Sequence, residues 1–335
     1  MSNPPSRFEP THVEWDAGHA PWAKLQVHEE RAKSIVAENR SPDLPFRYSI
    51  NPYRGCQHAC AYCYARPSHQ YWGFGAGTDF ERQIIVKVNA PELLRELFTC
   101  GRWAGKPITF SGNTDCYQPL EGRYQLTRAL LEVCEEHRNP VTIITKSALI
   151  LRDLPLLKRL SQLTRLRVFM SIPFLDERLG RALEPGAATI SRRLGVLEAL
   201  SAAGITTGVS VSPLIPGISE TEVVRVLRAA RAAGATYAFT VLLRLPAEVA
   251  PVFVERLREA LPLRASAVES ALRSMRGGKL NSPAFGQRMR GQGPRYAILS
   301  SLFSMECRRL GLIERETEHE PCQSFRRETR QLELF

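Results

Sequence analysis

The sequence predicts an α/β protein in which parallel strands alternate with helices around one barrel-like sheet. From residue 48 onward, short apolar runs alternate with amphipathic segments, a pattern typical of βα units. Seven apolar runs are candidate strands, at 48–51, 84–88, 108–111, 141–145, 168–172, 206–211 and 237–242. Five helical patterns lie between them, at 90–98, 123–137, 153–163, 190–203 and 220–233. Because parallel sheets bind ligands at the carboxyl ends of their strands, functional residues are expected directly after each strand.

The segment at 190–203 shows why these patterns are interpreted as helices. Leu194, Leu197 and Leu200 recur at i, i+3 and i+6, which gives a helix one apolar stripe to pack on the sheet. Gly204 and Gly234 each follow a predicted helix, at the position where a C-cap favours positive φ. Both features indicate amphipathic helices that end sharply before the next strand.

Three regions are expected along the chain. Residues 1–46 form a polar N-terminal extension that contains several prolines and one predicted helix at 27–39. Residues 47–245 form the barrel-like core. Residues 246–335 form a C-terminal helical region with a basic tail, and helices are predicted at 251–261, 266–275 and 294–310.

The N-terminal sequence lacks the basic-then-apolar pattern of a signal peptide, and no stretch approaches the roughly 18 apolar residues of a membrane span. We therefore expect a cytoplasmic protein with no membrane segment. The chain has eight cysteines. In a reducing compartment, closely spaced thiols are more typical of a metal site than of disulfides.

The charge of the chain is strongly basic. It carries 45 Lys and Arg against 34 Asp and Glu, a formal net charge of +11. This excess favours a polyanionic partner such as nucleic acid. A solvated basic surface explains the same excess without any partner, and the sequence leaves both interpretations open.

Three cysteines, Cys56, Cys60 and Cys63, form a C-x3-C-x2-C motif after the first candidate strand. Thiolates this close in sequence can converge on one soft metal centre without long loop closure. A [4Fe-4S] cluster held by three thiolates leaves one iron open to an outside ligand, which suits chemistry at the cluster. A structural zinc site with His58, His69 or a distant cysteine as fourth ligand is the alternative interpretation.

The motif, with Tyr62 just before its last cysteine, resembles the signature of the radical S-adenosylmethionine (SAM) superfamily. The resemblance implies a partial (β/α)6 TIM-like barrel, a [4Fe-4S] cluster and SAM as cofactors, and a reducing partner such as flavodoxin or ferredoxin. In the superfamily, SAM chelates the open iron, and an electron from the cluster cleaves SAM to methionine and a 5′-deoxyadenosyl radical. The implied function is a radical SAM enzyme that acts on an unassigned substrate.

The resemblance also assigns cofactor contacts to the later strand ends. Residues 111–115 are expected to hold the SAM ammonium group, and residues 214–216 to form an apolar wall for adenine. Arg193 is expected to bind the SAM carboxylate through its guanidinium, with Arg192 as its competitor. The full set expected to bind the cofactor is Tyr62, Ser111, Gly112, Asn113, Thr114, Asp115, Lys146, Ser171, Arg193, Leu214, Ile215 and Pro216.

Longer segments resemble the branch of this superfamily that includes spore photoproduct lyase, and within it the uncharacterised bacterial members. These segments are NPYRGC, YCYARPSHQYWGFGAGTDFE, NTDCYQPLE, TKSALILRDLPLL, LEPGAATISRRLGVLEALSAAGI, SPLIPGIS and the closing QLELF. Repair or modification of nucleic acid is therefore an alternative function. A non-enzymatic iron–sulfur or zinc protein that serves as a redox sensor or scaffold is a further alternative.

One departure from that branch concerns the hydrogen donor. The lyase carries a cysteine just before its Thr-Ser-Asp run, and the corresponding position here is about Gly112. Cys116 lies a few residues later and is the candidate catalytic hydrogen donor. The alternative interpretation of Cys116 is a small buried side chain that fills the core.

Overall fold

The computed structural model describes residues 3–8, 24–314 and 323–327. The closing QLELF segment and most of the predicted basic tail lie outside these residues. Eleven strands are described, numbered along the chain: β1 (Gln26–Glu30), β2 (Val36–Glu38), β3 (Tyr48–Ile50), β4 (Tyr53–Arg54), β5 (Gln83–Lys87), β6 (Ile108–Phe110), β7 (Val141–Thr145), β8 (Leu166–Ser171), β9 (Thr206–Leu214), β10 (Tyr237–Leu242) and β11 (Ile313–Glu314).

Eleven α-helices are described in the same part of the chain. They are α1 (Thr78–Arg82), α2 (Ala90–Thr99), α3 (Glu121–Tyr124), α4 (Leu126–Glu136), α5 (Leu154–Leu163), α6 (Glu177–Leu183), α7 (Ile190–Ala202), α8 (Val223–Ala232), α9 (Val249–Ala260), α10 (Pro262–Ser274) and α11 (Gly293–Leu310). Two 3-10 helices, at Arg66–Trp72 and Ala148–Asp153, complete the helical structure of these residues.

The main sheet has eight strands in the order β2-β3-β6-β7-β8-β9-β10-β11. All neighbouring pairs are parallel except β2 and β3, which are antiparallel. Its six central strands, β3 and β6 to β10, follow one another in chain order, and helices connect them. The predicted α/β fold is therefore confirmed as an open, parallel-stranded sheet. Its edges, β2 and β11, do not pair with each other, so the described strands form no closed barrel.

Apolar helix faces cover this sheet as the periodicity predicts. On α7, Leu197 and Leu200 are buried and Leu194 packs against the same core from a partly buried position. Gly204 and Gly234 have φ of +78° and +91°, so both adopt the left-handed conformation expected after a helix. The core is one continuous cluster between the strands and this helical layer.

The extension forms strands, and the prediction of a helix at 27–39 is wrong. In its place β1 pairs in parallel with β5, and β2 pairs antiparallel with β3. The segment contains good helix formers, but pairing with strands from other parts of the chain overrides that weak preference. The run at 84–88 does form a strand, yet β5 belongs to a small sheet of order β1-β5-β4 and not to the main sheet.

Two further differences are local. The helix predicted at 123–137 is divided at Gln125, whose φ of 51° ends α3 before α4 begins. The short helices α1 and α6 were not predicted, because five and seven residues are too few to show a helical period. Within the described residues, no helix is long and apolar enough to cross a membrane.

Candidate functional site

A cavity of about 320 Å³ opens at the carboxyl ends of the parallel strands, where a parallel sheet places its ligands. Its inner wall contains the three cysteines of the C-x3-C-x2-C motif together with residues that follow β6, β7 and β8. The predicted site residues that line it are Cys56, Cys60, Cys63, Tyr62, Ser111, Gly112, Asn113, Thr114, Asp115, Lys146 and Ser171.

The cysteine loop is held in place mainly by its backbone. Gly55 has a φ of +77°, and a Cβ there would lie 2.9 Å from the Phe80 carbonyl oxygen, so glycine is required before Cys56. The Cys56 amide donates to the same Phe80 oxygen at 2.8 Å, and the Ala61 amide donates to Leu183 O at 2.9 Å. The loop is therefore tied to α1 and to the end of α6, which fixes where its thiols point.

Arg66 ties the same loop from inside. Its side chain is fully buried, and its Nε and Nη2 donate to the carbonyl oxygen of Cys60 at 3.1 and 2.9 Å. Its Nη2 also lies 2.6 Å from Glu81 Oε1. Because the charge is paired and the donors are used, this buried guanidinium stabilises the turn between the second and third cysteines.

The three thiols are free, and Cys56 and Cys60 are buried. Burial raises the pKa of the Cys60 thiol to about 12 and also raises the pKa of Cys56 and Cys63. A bound cation reverses this effect, because a coordinating thiol is deprotonated by the metal. Three thiols in one cavity wall therefore fit a thiolate-bound iron–sulfur cluster.

Within the described residues, no three His, Cys, Asp or Glu side chains are arranged to hold a single metal ion. His58, one of the two residues considered as a zinc ligand, is buried in the cavity wall with its Nδ1 3.3 Å from Asp115 Oδ2. His69 is buried between the rings of Phe74 and Phe80, with centroid distances of 5.3 and 5.5 Å. It does not line the cavity.

Asp115 is the anionic group of the inner wall. Its carboxylate accepts hydrogen bonds of 2.8 Å from Thr145 Oγ1 and from the Lys146 amide. Burial opposes ionisation, but the contact with His58 and these hydrogen bonds outweigh it and lower the pKa of Asp115 to about 2. A full negative charge is therefore held at the end of β6, in the segment predicted to meet an ammonium group.

Lys146 is the cation of the same wall. Its Nζ lies 5.8 Å from the ring centroid of Tyr62 and 3.9 Å from Glu184 Oε1. The Tyr62 hydroxyl donates to the same carboxylate oxygen. Glu184 is buried, and burial raises the pKa of its carboxyl group. Lys146 thus remains available to a second anion in the cavity while Glu184 and Tyr62 fix its position.

Arg193 does not reach the cavity, so the prediction that it binds a carboxylate there is corrected. Its side chain is 1% exposed. Its Nη2 pairs with Glu184 Oε2 at 2.6 Å, and its Nε and Nη1 donate to the carbonyl oxygens of Ala188 and Ser171. The N-terminal turn of α7 directs it into the core, where a guanidinium needs a buried partner. Arg192 is exposed and does not line the cavity either.

Two other predictions are corrected by burial. Leu214, Ile215 and Pro216 are buried and do not line the cavity. They turn into the core after β9, and Ser212 and Pro213 form the wall instead.

Cys116 is fully buried in the main core and does not line the cavity, so its predicted role as hydrogen donor is also corrected. Its amide donates to Ser111 Oγ at 2.8 Å, which turns the chain inward, and burial raises the pKa of its thiol. Gly112 cannot supply a thiol in its place, because a Cβ there would lie 2.7 Å from Ser49 Cβ.

The sequence did not predict the outer wall of the cavity. It comes from the N-terminal extension, from Tyr64 in the cysteine loop, from the residues after β10 and from the C-terminal region. It contains Asp43, Phe46, Tyr64, Arg244 and Met289. Tyr64 lies in the YCYARPSHQ segment noted above, and Arg244 and Met289 lie in the Arg-rich last third of the chain. No sequence signal marks Asp43 or Phe46. Glu184 was also missed as a functional residue, although it lies in the LEPG segment noted above.

Comparison with known proteins assigns the family. Residues 50–230 match the Radical SAM superfamily. The uncharacterized protein Rv2578c of Mycobacterium tuberculosis (strain ATCC 25618 / H37Rv) is 38% identical over 217 residues, which are 63% of each chain. The Radical SAM Nalpha-GlyT isomerase of Pseudomonas phage M6 is 28% identical over 211 residues, which are 62% of this chain and 42% of the isomerase.

Among solved structures, the fold is similar to a spore photoproduct lyase double mutant with bound AdoMet and dinucleoside spore photoproduct. The TM-score is 0.61 at 17% identity, over 87% of this chain and 81% of the lyase. The chain spans less than two thirds, 63%, of the mycobacterial relative's length. With the family match covering more than half of the sequence, the chain belongs to the Radical SAM superfamily.

Proposed function

We propose that this chain is a radical SAM enzyme in which Cys56, Cys60 and Cys63 hold a [4Fe-4S] cluster and SAM binds in the adjoining cavity. The observation that carries the proposal is the set of side chains that meet in the inner wall of the cavity. Three thiols, the charged carboxylate of Asp115 and the ammonium of Lys146 line one cavity of about 320 Å³. That volume lies within the range of small-molecule sites, roughly 300 to 1,000 Å³.

When bound, a three-cysteine [4Fe-4S] cluster supplies the electron that cleaves SAM to methionine and a 5′-deoxyadenosyl radical. The chain contributes the placement and charge of the cofactor. Asp115 and the polar segment 111–114 offer acceptors for the SAM ammonium group, and the Lys146 ammonium faces its carboxylate. Tyr62 and Glu184 hold Lys146 in place through the contacts described above.

An external electron donor follows from this chemistry. A reducing partner such as flavodoxin or ferredoxin, and a location in the cytoplasm where such donors occur, are parts of the proposal. This proposal names the reaction and its cofactors and assigns no substrate.

The direct test is 5′-deoxyadenosine formation by the anaerobically reconstituted protein, reduced with dithionite in the presence of SAM and followed by liquid chromatography with mass detection. Cys56→Ala, Cys60→Ala and Cys63→Ala are each expected to abolish the product, because the cluster needs all three thiolates. Cys100→Ala is the matched control, since Cys100 is exposed and does not line the cavity. An iron-loaded wild-type protein that forms no 5′-deoxyadenosine would overturn the proposal.

Action on nucleic acid is the second candidate, favoured by the net charge of +11. The name of one similar structure also supports it, the lyase that is bound to a dinucleoside spore photoproduct. Binding to single-stranded DNA should weaken steeply with salt, with a slope of about −0.7 per phosphate contact. No binding at low salt would argue against this candidate.

A further inference from the structure

The outer wall of the cavity carries a guanidinium without a carboxylate partner. Arg244 follows β10 and lines the cavity. Its Nη1 lies 3.5 Å from Met289 Sδ, and its guanidinium lies 5.8 Å from the Tyr64 ring centroid. Its Nε is buried and finds no hydrogen-bond partner in the part of the chain that the structure describes. Among the ion pairs of the described residues, none includes Arg244.

The charges around Arg244 do not balance. Arg288 takes the nearby carboxylate, with its Nε 2.6 Å from Asp43 Oδ2. Arg276 is buried, and its Nη1 and Nη2 donate only to carbonyl oxygens, including Leu243 O at 2.8 Å. Three guanidinium groups therefore share one carboxylate in this part of the described structure.

The pKa values report the same imbalance. Burial and the charge of Arg288 lower the pKa of Arg244, and burial and the charge of Arg244 lower the pKa of Arg276 to about 10. Partly buried cations of this kind are stabilised when an anion joins them. An anionic ligand at Arg244 would therefore bind to a pre-formed positive site.

The surrounding wall is aromatic. The Tyr64 ring lies beside the Arg244 guanidinium, and Phe46 lines the same cavity. Phe239 and Tyr237 line the cavity deeper along β10, where Tyr237 packs against Arg167. Aromatic rings beside a guanidinium suit a flat heterocycle that carries an oxyanion, because bases stack on the rings while the planar fork binds phosphate through two parallel hydrogen bonds. A carboxylate alone would leave the aromatic wall unused.

We infer that Arg244 anchors a phosphate group of the substrate, and that the substrate is a nucleotide unit whose base lies against the aromatic wall. This inference rests on the proposed function, since it takes the cavity to be the substrate site. It deepens that function by naming the substrate class. The Lys146 ammonium lies in the inner wall beside Tyr62, so the anions of SAM and of the nucleotide have separate partners.

The test is calorimetric binding to the cluster-reconstituted protein with SAM and without reductant, so that no turnover occurs. The probes are the thymidine dinucleotide TpT, its uncharged methylphosphonate analogue and thymidine monophosphate. Wild-type protein is expected to bind TpT or the monophosphate at least about tenfold more tightly than the neutral analogue, the scale of one charge-assisted hydrogen bond. A preference for TpT identifies nucleic acid as the source of the phosphate, and a preference for the monophosphate identifies a free nucleotide.

Arg244→Gln should remove this preference, and Arg244→Lys should keep part of it. Arg95→Gln is the charge-matched control, because Arg95 is exposed on α2 and pairs with Glu136; it should bind like wild type. The inference is overturned if the neutral analogue binds as tightly as TpT, if Arg244→Gln keeps the preference, or if no probe binds. Because no turnover is involved, 5′-deoxyadenosine formation by the wild type decides the proposed function separately.

Discussion

Gly186 provides a sharp test of how the cysteine loop is positioned. Gly186 donates from its amide to His58 O at 3.0 Å. An added Cβ would overlap the carbonyl oxygen of Gln57 and would lie 3.0 Å from its carbonyl carbon and 3.1 Å from the Cα of His58. All three atoms belong to the backbone, so no side chain can rotate away to make room.

Gly186→Ala therefore forces the loop before Cys60 away from the segment after α6. Overpacking of this kind costs about 1–3 kcal/mol, and loss of the Gly186–His58 hydrogen bond adds about 1 kcal/mol. We expect a loss of about 2–4 kcal/mol in the free energy of unfolding and a Tm lower by roughly 3–6 °C. The displaced Cys56 should also reduce the iron bound per chain after reconstitution.

The assays are urea denaturation and iron determination, with Gly195→Ala as the control. Gly195 lies within α7 with open space around its Cα, so alanine there should stabilise the protein by about 0.5–1 kcal/mol. A Gly186→Ala protein with wild-type stability and full iron would refute the packing argument for the loop.

Two further predictions concern buried charges. Glu184→Ala should lower the free energy of unfolding by about 3–5 kcal/mol, because it leaves the buried Arg193 unpaired, whereas Glu184→Leu combined with Arg193→Met should recover most of that loss. Urea denaturation measures the stability of both proteins. Equal losses in the two proteins would contradict a structural ion pair. Burial lowers the pKa of His69 from 6.5 to about 4. Below pH 6.5 the unfolded chain therefore binds a proton that the folded chain does not bind. The contribution of the neutral His69 ring to the free energy of unfolding is present above pH 6.5 and is lost as the pH falls towards 4. The loss should approach about 1.4 kcal/mol per pH unit, and His69→Phe should remove it; identical pH dependence of unfolding in both proteins between pH 7 and 5.5 would contradict this assignment.

The elements with a clear period were predictable from the sequence. The run at 141–145 is β7 residue for residue, and the run at 237–242 is β10, because both are apolar segments between turn residues in a regular βα series. The structure of the segment at 27–39 was not predictable, because the pairing of β1 with β5 joins residues more than fifty positions apart. No local pattern carries that information.

The site divides in the same way. Residues directly after strands, such as Asp115 and Lys146, face the cavity, because the direction of a parallel strand fixes which end is open. The prediction for Arg193 failed because the direction of its side chain is set by its ion pair with Glu184. A helical pattern in the sequence does not show that ion pair. Arg244 was missed because the outer wall is assembled from distant segments of low periodicity.

The most direct measurement is the electron paramagnetic resonance spectrum of the reduced, reconstituted protein with and without SAM. Three cysteine ligands leave one iron for SAM, so the spectrum of a reduced [4Fe-4S] cluster should appear and should shift when SAM is added. Cys100→Ala should give the same shift, and Cys60→Ala should give no such cluster. A cluster whose spectrum does not change when SAM is added, or zinc in place of iron, would contradict the account.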